Sequence, residues 1–230
     1  MILCLATIFV WVAALFFLRP NPSDLQVRIP SHWESFKKIQ ATFWLGIFLI
    51  IAFFIFSGGT FINLNEDWLA ILGINNFEMF TPWWFIQTLT HNFIHINSLH
   101  LWTNLSFLGV LSLYERKVGA GRFLFLFLFS GMLSSISLFF ISTPTISVGA
   151  SAGLLGLAGA YLLDTPKLTF KEYLMGSGVI LFIFLIFSYT ENKQAVGDLS
   201  FEIDNWGHLL GLISGLIFCK IFPRKVVVMS

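Results

Sequence analysis

Charge is what this sequence has least of. Asp, Glu, Lys and Arg make up 11% of its 230 residues, whereas a soluble domain carries about 25%. So few ions cannot cover a water-facing surface, and the chain is read as an integral membrane protein. An excess of one sign is also missing: 13 basic and 12 acidic residues give a net charge of +1. With no basic run in the chain, nucleic acid is excluded as a partner. Cysteine is nearly absent. Cys4 and Cys219 lie in different apolar segments, at opposite faces of the membrane in the topology below, so no disulfide is expected. No internal repeat, low-complexity tract or second domain appears.

What the chain has instead is apolar length. It is 57% hydrophobic, with 28 Phe. Runs of about 17–25 apolar residues mark membrane-crossing helices, and seven are predicted: 2–18, 41–57, 97–113, 122–141, 149–164, 172–189 and 205–222. The first lacks the basic start and the small-residue cleavage site of a secretory signal, so it is read as a retained anchor helix. Basic residues orient the set, since cytoplasmic loops carry the excess of Lys and Arg. Arg19, Arg28, Lys37 and Lys38 follow span one. Arg116, Lys117 and Arg122 follow span three, Lys167 and Lys171 follow span five, and Lys220, Arg224 and Lys225 close the chain. If seven spans alternate, all of these share one side and Lys193 alone falls on the other. That puts the N-terminus outside and the C-terminus in the cytoplasm, with the plasma membrane as the expected location. Segment 58–96 is too long for a turn and rich in Trp and Phe, so it is expected to lie in the outer interface. Segment 190–204 is polar and suits a loop over whatever lies beneath. Pro20, Pro22 and Pro30 interrupt the basic connector 19–40.

Polar groups within apolar helices are costly and mark functional positions. Here they are His95, His100, Asn104, Ser151 and His208, all at the outer ends of their spans. Ser151 opens the stretch GASAGLLGLAGAYLL, in which positions 149, 153, 156 and 160 share one face and are all small. Gly207, Gly211, Ser214 and Gly215 form a second bare stripe in NWGHLLGLISGL, with His208 one turn ahead of Gly211. Two bare faces can pack closely. Such packing would bring a serine hydroxyl and an imidazole within hydrogen-bond reach, the arrangement of an activated nucleophile and its base. His100 and Asn104, four apart on one helical face, are candidate donors to an oxyanion, and the Ser151 N–H is a third. His91, His95 and His100 raise the question of a metal. No HExxH motif, neighbouring cysteine or helical acid accompanies them, and no metal or other cofactor is expected.

These residues give the chain a resemblance to the rhomboid family of intramembrane serine proteases. The H-x4-H-x3-N pattern of that family is met by His95, His100 and Asn104. G-x-S-x is met by Gly149, Ala150, Ser151 and Ala152, and H-x2-G-x3-G by His208, Gly211 and Gly215. YERKVG at 114–119 is similar to an acidic-basic stretch in the family, which would make Glu115 a structural anchor. The resemblance implies an all-α membrane protein, a six-helix core bundle over 41–222 plus one extra N-terminal transmembrane helix. Residues 1–40 would be anchor and connector, and 223–230 a cytoplasmic tail. It implies Ser151 as nucleophile, His208 as base, and an oxyanion site of His100, Asn104 and the Ser151 N–H. His95, Gly149, Gly211 and Gly215 would support that site. Segment 172–189 would be the helix whose tilt admits substrate, and 190–204 the cap.

Three positions depart from the pattern. Ala152 stands where Gly is frequent. Leu155 replaces an aromatic that packs on the histidine, and Gln87 stands where a Trp-Arg pair would put arginine. With no acid inside a span, packing is expected to orient His208. The reading is of a serine endopeptidase that cuts single-span or multi-span membrane proteins near the outer face of the lipid bilayer. An inactive relative that binds membrane clients is the alternative from a different class. A transporter is disfavoured by the lack of mid-membrane helix breaks and paired halves.

Overall fold

The computed structural model describes residues 1–17, 30–164 and 204–224, together with scattered residues between 170 and 200. Its long helices follow the apolar runs. They are α1 (Ile2–Phe17), α3 (Gln40–Phe56), α6 (Ser98–Val118), α7 (Ala120–Ser134), α8 (Ser151–Asp164) and α9 (Asn205–Ile221). Short helices α2 (His32–Phe36), α4 (Glu66–Leu72) and α5 (Pro82–Thr90) lie between them. The run through α7 continues as a 3-10 helix, Ser135–Phe140. Together Ala120–Phe140 is 21 residues, with mean hydropathy 2.1 over its most apolar 18, long and apolar enough to cross a bilayer. Four more apolar helices, α1, α3, α8 and α9, are shorter. Half of the expected sixth span, 172–189, and most of the loop 190–204 lie outside the described residues. So do residues 19–29 of the 19–40 connector and the last six residues.

Helix α8 is the axis of the bundle. Every residue from 151 to 160 is buried, and α6, α7 and α9 surround it. The small residues explain how three neighbours fit around one helix. A Cβ on Gly211 would run into the Ala152 carbonyl, and one on Gly215 into the Gly156 carbonyl, so α8 and α9 meet backbone to backbone. The stripe on α8 serves two partners. A Cβ on Gly153 would lie 2.7 Å from the Phe127 carbonyl oxygen of α7, and one on Gly156 would overlap Ser130. Gly159 faces Leu212 and Leu216 of α9.

Charged and polar clasps fasten the end of the bundle remote from Ser151. Glu115 accepts hydrogen bonds from Ala41 N and Thr42 N, each 2.8 Å, satisfying the unpaired N–H groups that begin α3. Asp164, at the end of α8, accepts from Tyr114 Oη at 2.5 Å and from Arg122 Nε at 2.8 Å. Arg122 also reaches the Phe222 carbonyl at 2.8 Å beyond α9. One ion pair therefore ties α6, α7, α8 and the end of α9. On the flank, α1 seats Trp11 in a notch left by Gly46 of α3 and Gly109 of α6, and the indole N–H donates to the Phe43 carbonyl at 3.4 Å. Cys4 and Cys219 are both free and buried.

The close approach of α8 and α9 is the contact most sensitive to a single methyl. Gly215→Ala is expected to lower the unfolding midpoint in detergent, at a cost of about 1–3 kcal/mol from overpacking against backbone. Gly121→Ala, where a Cβ meets nothing within 4 Å, is expected to change stability by less than about 0.5 kcal/mol. Thermal or denaturant unfolding of the two variants checks this.

Candidate active site

Ser151 occupies the first position of α8, and the backbone just before it explains its placement. Gly149 has φ +119°, a conformation in which glycine has no steric penalty, and its N–H donates to the His91 carbonyl at 2.8 Å. The sharp turn ends an approach strand, β2 (Ile146–Ser147), which pairs antiparallel with β1 (Ile74–Asn75). Asn76 pins the same approach. Its side-chain N–H2 donates to Ile141 O at 2.9 Å and Thr143 O at 2.8 Å, and its oxygen accepts from Thr145 N at 2.9 Å.

His208 lies in the first turn of α9. Close packing of α8 on α9 sets Ser151 Oγ 2.6 Å from His208 Nε2, with both residues buried. This is the pair expected from the two bare stripes. The detail differs in one respect: Gly149 is not part of the helical stripe. It precedes the helix, and its missing side chain makes room for the His100 ring, since a Cβ there would lie 2.7 Å from His100 Cε1 and Nε2. Gly211 acts where expected, against Ala152, one turn past His208.

A small cavity opens beside the pair. Its wall includes His91, His100, Gly149, Ser151, Asp204 and His208. Of the candidate oxyanion donors, His100 is on the wall. Asn104 is fully buried one turn behind it, with its amide N–H2 donating to the His100 carbonyl at 2.9 Å. His95 is fully buried, with its ring edge-on to His100 at 5.0 Å between centroids. It reaches the site through that ring. Among the described residues, no group of His, Cys, Asp and Glu is arranged to hold a metal.

Asp204 is the residue that sequence reasoning missed. It lies just outside the predicted span 205–222, where an acid carries none of the cost that marks a polar group inside a span. It is the N-cap of α9, with Gly207 N donating to Oδ1 at 2.6 Å and Ser137 Oγ donating to Oδ2 at 2.5 Å. Burial pushes its carboxyl above the ordinary range. The Ser137 hydroxyl, the Gly207 N–H and the nearby His208 pull it back. The signal was available as Asp followed three residues later by Gly-His at a helix start.

The departure at Gln87 also has a structural counterpart. Its amide is buried and donates to the carbonyls of Ala70 at 3.3 Å and Ile71 at 3.2 Å. Trp83 Nε1 donates to Ile71 O at 2.8 Å and Thr90 Oγ1 to Leu72 O at 2.9 Å. Helix α5 thus holds the end of α4 through three side chains where an arginine was expected.

Comparison with known proteins places this geometry in a family. The Rhomboid domain model matches residues 82–225, well over half of the chain. The chain is a member of the rhomboid family. Rhomboid proteins are integral membrane proteins and generally intramembrane serine proteases. The chain is similar to the rhomboid protease GluP of Bacillus subtilis, 32% identical over 72% of this chain and 31% of that protein. It is also similar to RHOMBOID-like protein 6, mitochondrial, of Arabidopsis thaliana, 31% identical over 66% of this chain and 45% of that protein. Rhomboid-like protease 3 of Toxoplasma gondii is 25% identical over 70% of this chain and 61% of that protein. The chain therefore spans less than two thirds of the length of each of these relatives. The names of the Bacillus and Toxoplasma relatives support a protease.

Gly149 supplies a test of how the site is built. Gly149→Ala puts a side chain into both a left-handed backbone position and the His100 ring. It is expected to cost about 1–3 kcal/mol and to displace His100. Unfolding midpoints, with the His100 imidazole followed by NMR, read both effects.

Proposed function

We propose that this rhomboid protein is an active intramembrane serine endopeptidase with a Ser151–His208 dyad. The observation that carries the proposal is the 2.6 Å separation of Ser151 Oγ and His208 Nε2 at the wall of a small cavity. His208 Nε2 takes the hydroxyl proton as Ser151 Oγ attacks a peptide carbonyl. The resulting oxyanion is held by His100, Asn104 and the Ser151 N–H. His95 backs the His100 ring. His208 then gives the proton to the leaving amine, and water entering by the cavity cleaves the acyl-enzyme by the same route in reverse. In the ground state the Asn104 amide serves its own helix, so it would turn toward the oxyanion as charge develops. No cofactor enters the reaction.

The depth of the site follows from helix length. α8 has 14 residues, about 21 Å at 1.5 Å per residue, against a hydrocarbon core of about 30 Å. With Asp164 at the cytoplasmic boundary, Ser151 sits on the order of 10 Å below the outer surface. The substrate is then a membrane protein whose helix unwinds near that surface, and helix-breaking residues at the cut favour it. In this reading residues 41–222 form the six-helix core, and α1 is an added transmembrane helix joined by the connector that ends at residue 40. Residues 223–230 are a tail. The N-terminus faces outward and the C-terminus the cytoplasm of a cell membrane.

Full-length protein in proteoliposomes is expected to cut a single-span reporter and to be labelled by a fluorophosphonate. Ser151→Ala and His208→Ala are expected to lower cleavage by at least about a thousandfold and to abolish labelling. Equal cleavage by all three proteins would overturn the site. Folded wild type that neither cuts nor labels, yet retains membrane clients, would favour a binding protein.

A further inference from the structure

The geometry points to Asp204 as a positioning residue whose negative charge holds His208 ready to accept the Ser151 proton. This deepens the protease reading and rests on it.

Asp204 stands at the junction of three things the reaction needs. It caps the N-terminus of α9 through Gly207 N, so it fixes the turn that carries His208. The His208 N–H donates to the Asp204 carbonyl at 3.0 Å, which ties the two backbones directly. Its second carboxylate oxygen is held by Ser137 of the 3-10 helix that ends the α7 run. Asp204 also lines the cavity that His208 and Ser151 line. A cap alone needs one oxygen and no charge, and serine or asparagine serves as well. Here both oxygens accept hydrogen bonds, which offset in part the burial that works against the ionised form. The residue is on a wall that His208 shares. When His208 becomes a cation by taking the Ser151 proton, a nearby anion lowers the energy of that state. No bond to Asp204 forms or breaks, and the proton stays on His208 until it passes to the leaving group.

The other titratable groups facing this cavity, among the described residues, are His91 from the 3-10 turn after α5, His100 from α6 and His208 itself. Burial pushes His91 down to about 4, so it stays neutral across the range scanned below.

The test is the rate of labelling by a fluorescent fluorophosphonate from pH 5 to 9, using full-length protein in detergent micelles. Asp204→Asn keeps an N-cap acceptor and removes the charge. It is expected to lower the labelling rate at pH 7 by roughly tenfold. Its pH profile is also expected to change shape and not only height, because the cation formed on His208 then lacks a neighbouring anion. Ser137→Ala, which leaves the Gly207 contact in place, is expected to change the profile in the same sense by less. An Asp204→Asn profile that overlays wild type would overturn the proposal and leave Asp204 as a helix cap. If Asp204→Asn fails to fold, the Ser137→Ala profile decides on the same criterion. Wild type that does not label, or Ser151→Ala that labels equally, sinks the protease reading itself and the Asp204 role with it.

Discussion

The contact of α8 with α9 along bare backbone is the constraint from which the rest follows. The usual distance between helix axes is 8–10 Å, and it leaves side chains between the backbones. At Gly211 and Gly215 nothing lies between them, and the carbonyls of Ala152 and Gly156 occupy the space a Cβ would take. In a membrane such packing is one of the few strong forces between helices, because lipid tails offer no hydrophobic drive. It also has a chemical consequence. Ser151 and His208 have short reaches, and only helices this close can join them at 2.6 Å. The feature that holds α8 against α9 also brings Ser151 and His208 together.

Much of this was legible in the sequence for a simple reason. Periodicity of small residues reports directly on which faces can touch, so the Ser151–His208 pairing could be drawn before any coordinates. The span boundaries of α1, α3, α8 and α9 fell within a residue or two, because apolar length is a strong signal. Less legible was anything that depends on backbone direction. Gly149 looked like one more member of a bare face. Its role comes from a positive φ and from His100 arriving from another helix. The stripe on α8 also proved to face two partners, α7 at Gly153 and α9 at Gly159, a division that spacing alone cannot make. The C-terminal end of α6 runs on to Val118, past the expected 113, because the Glu115 and Tyr114 side chains find buried partners there. Polar residues read as ending a span are instead buried by pairing.

That end of the molecule shows how a mostly apolar protein tolerates buried ions. Glu115 and Asp164 are both nearly inaccessible. An unpaired buried carboxylate would cost several kcal/mol. Glu115 is met by two N–H groups at a helix start, and Asp164 by a guanidinium and a phenol. Each partner comes from a different helix, so the cost of burying charge is offset only in the assembled bundle. Such groups specify which helices belong together more than they add net stability. The arrangement suits the geometry at the other end, where small displacements of α8 would separate Ser151 from His208.

Leu155 brings these threads together. The rhomboid pattern puts an aromatic ring against the imidazole at that position. Leucine, fully buried here, fills the space without offering a flat face. The orientation of His208 must then come from its own helix. α9 is anchored before His208 by the Asp204 contacts to Gly207 and Ser137, and after it by Gly211 on the Ala152 carbonyl. Two fixed points one turn apart on either side leave the His208 backbone little freedom. The remaining freedom is in the side-chain torsions, on which the 2.6 Å hydrogen bond to Ser151 acts. Loss of a stacking partner is thus compatible with an ordered imidazole, provided the first turn of α9 is held rigid by its cap and by its contact with α8.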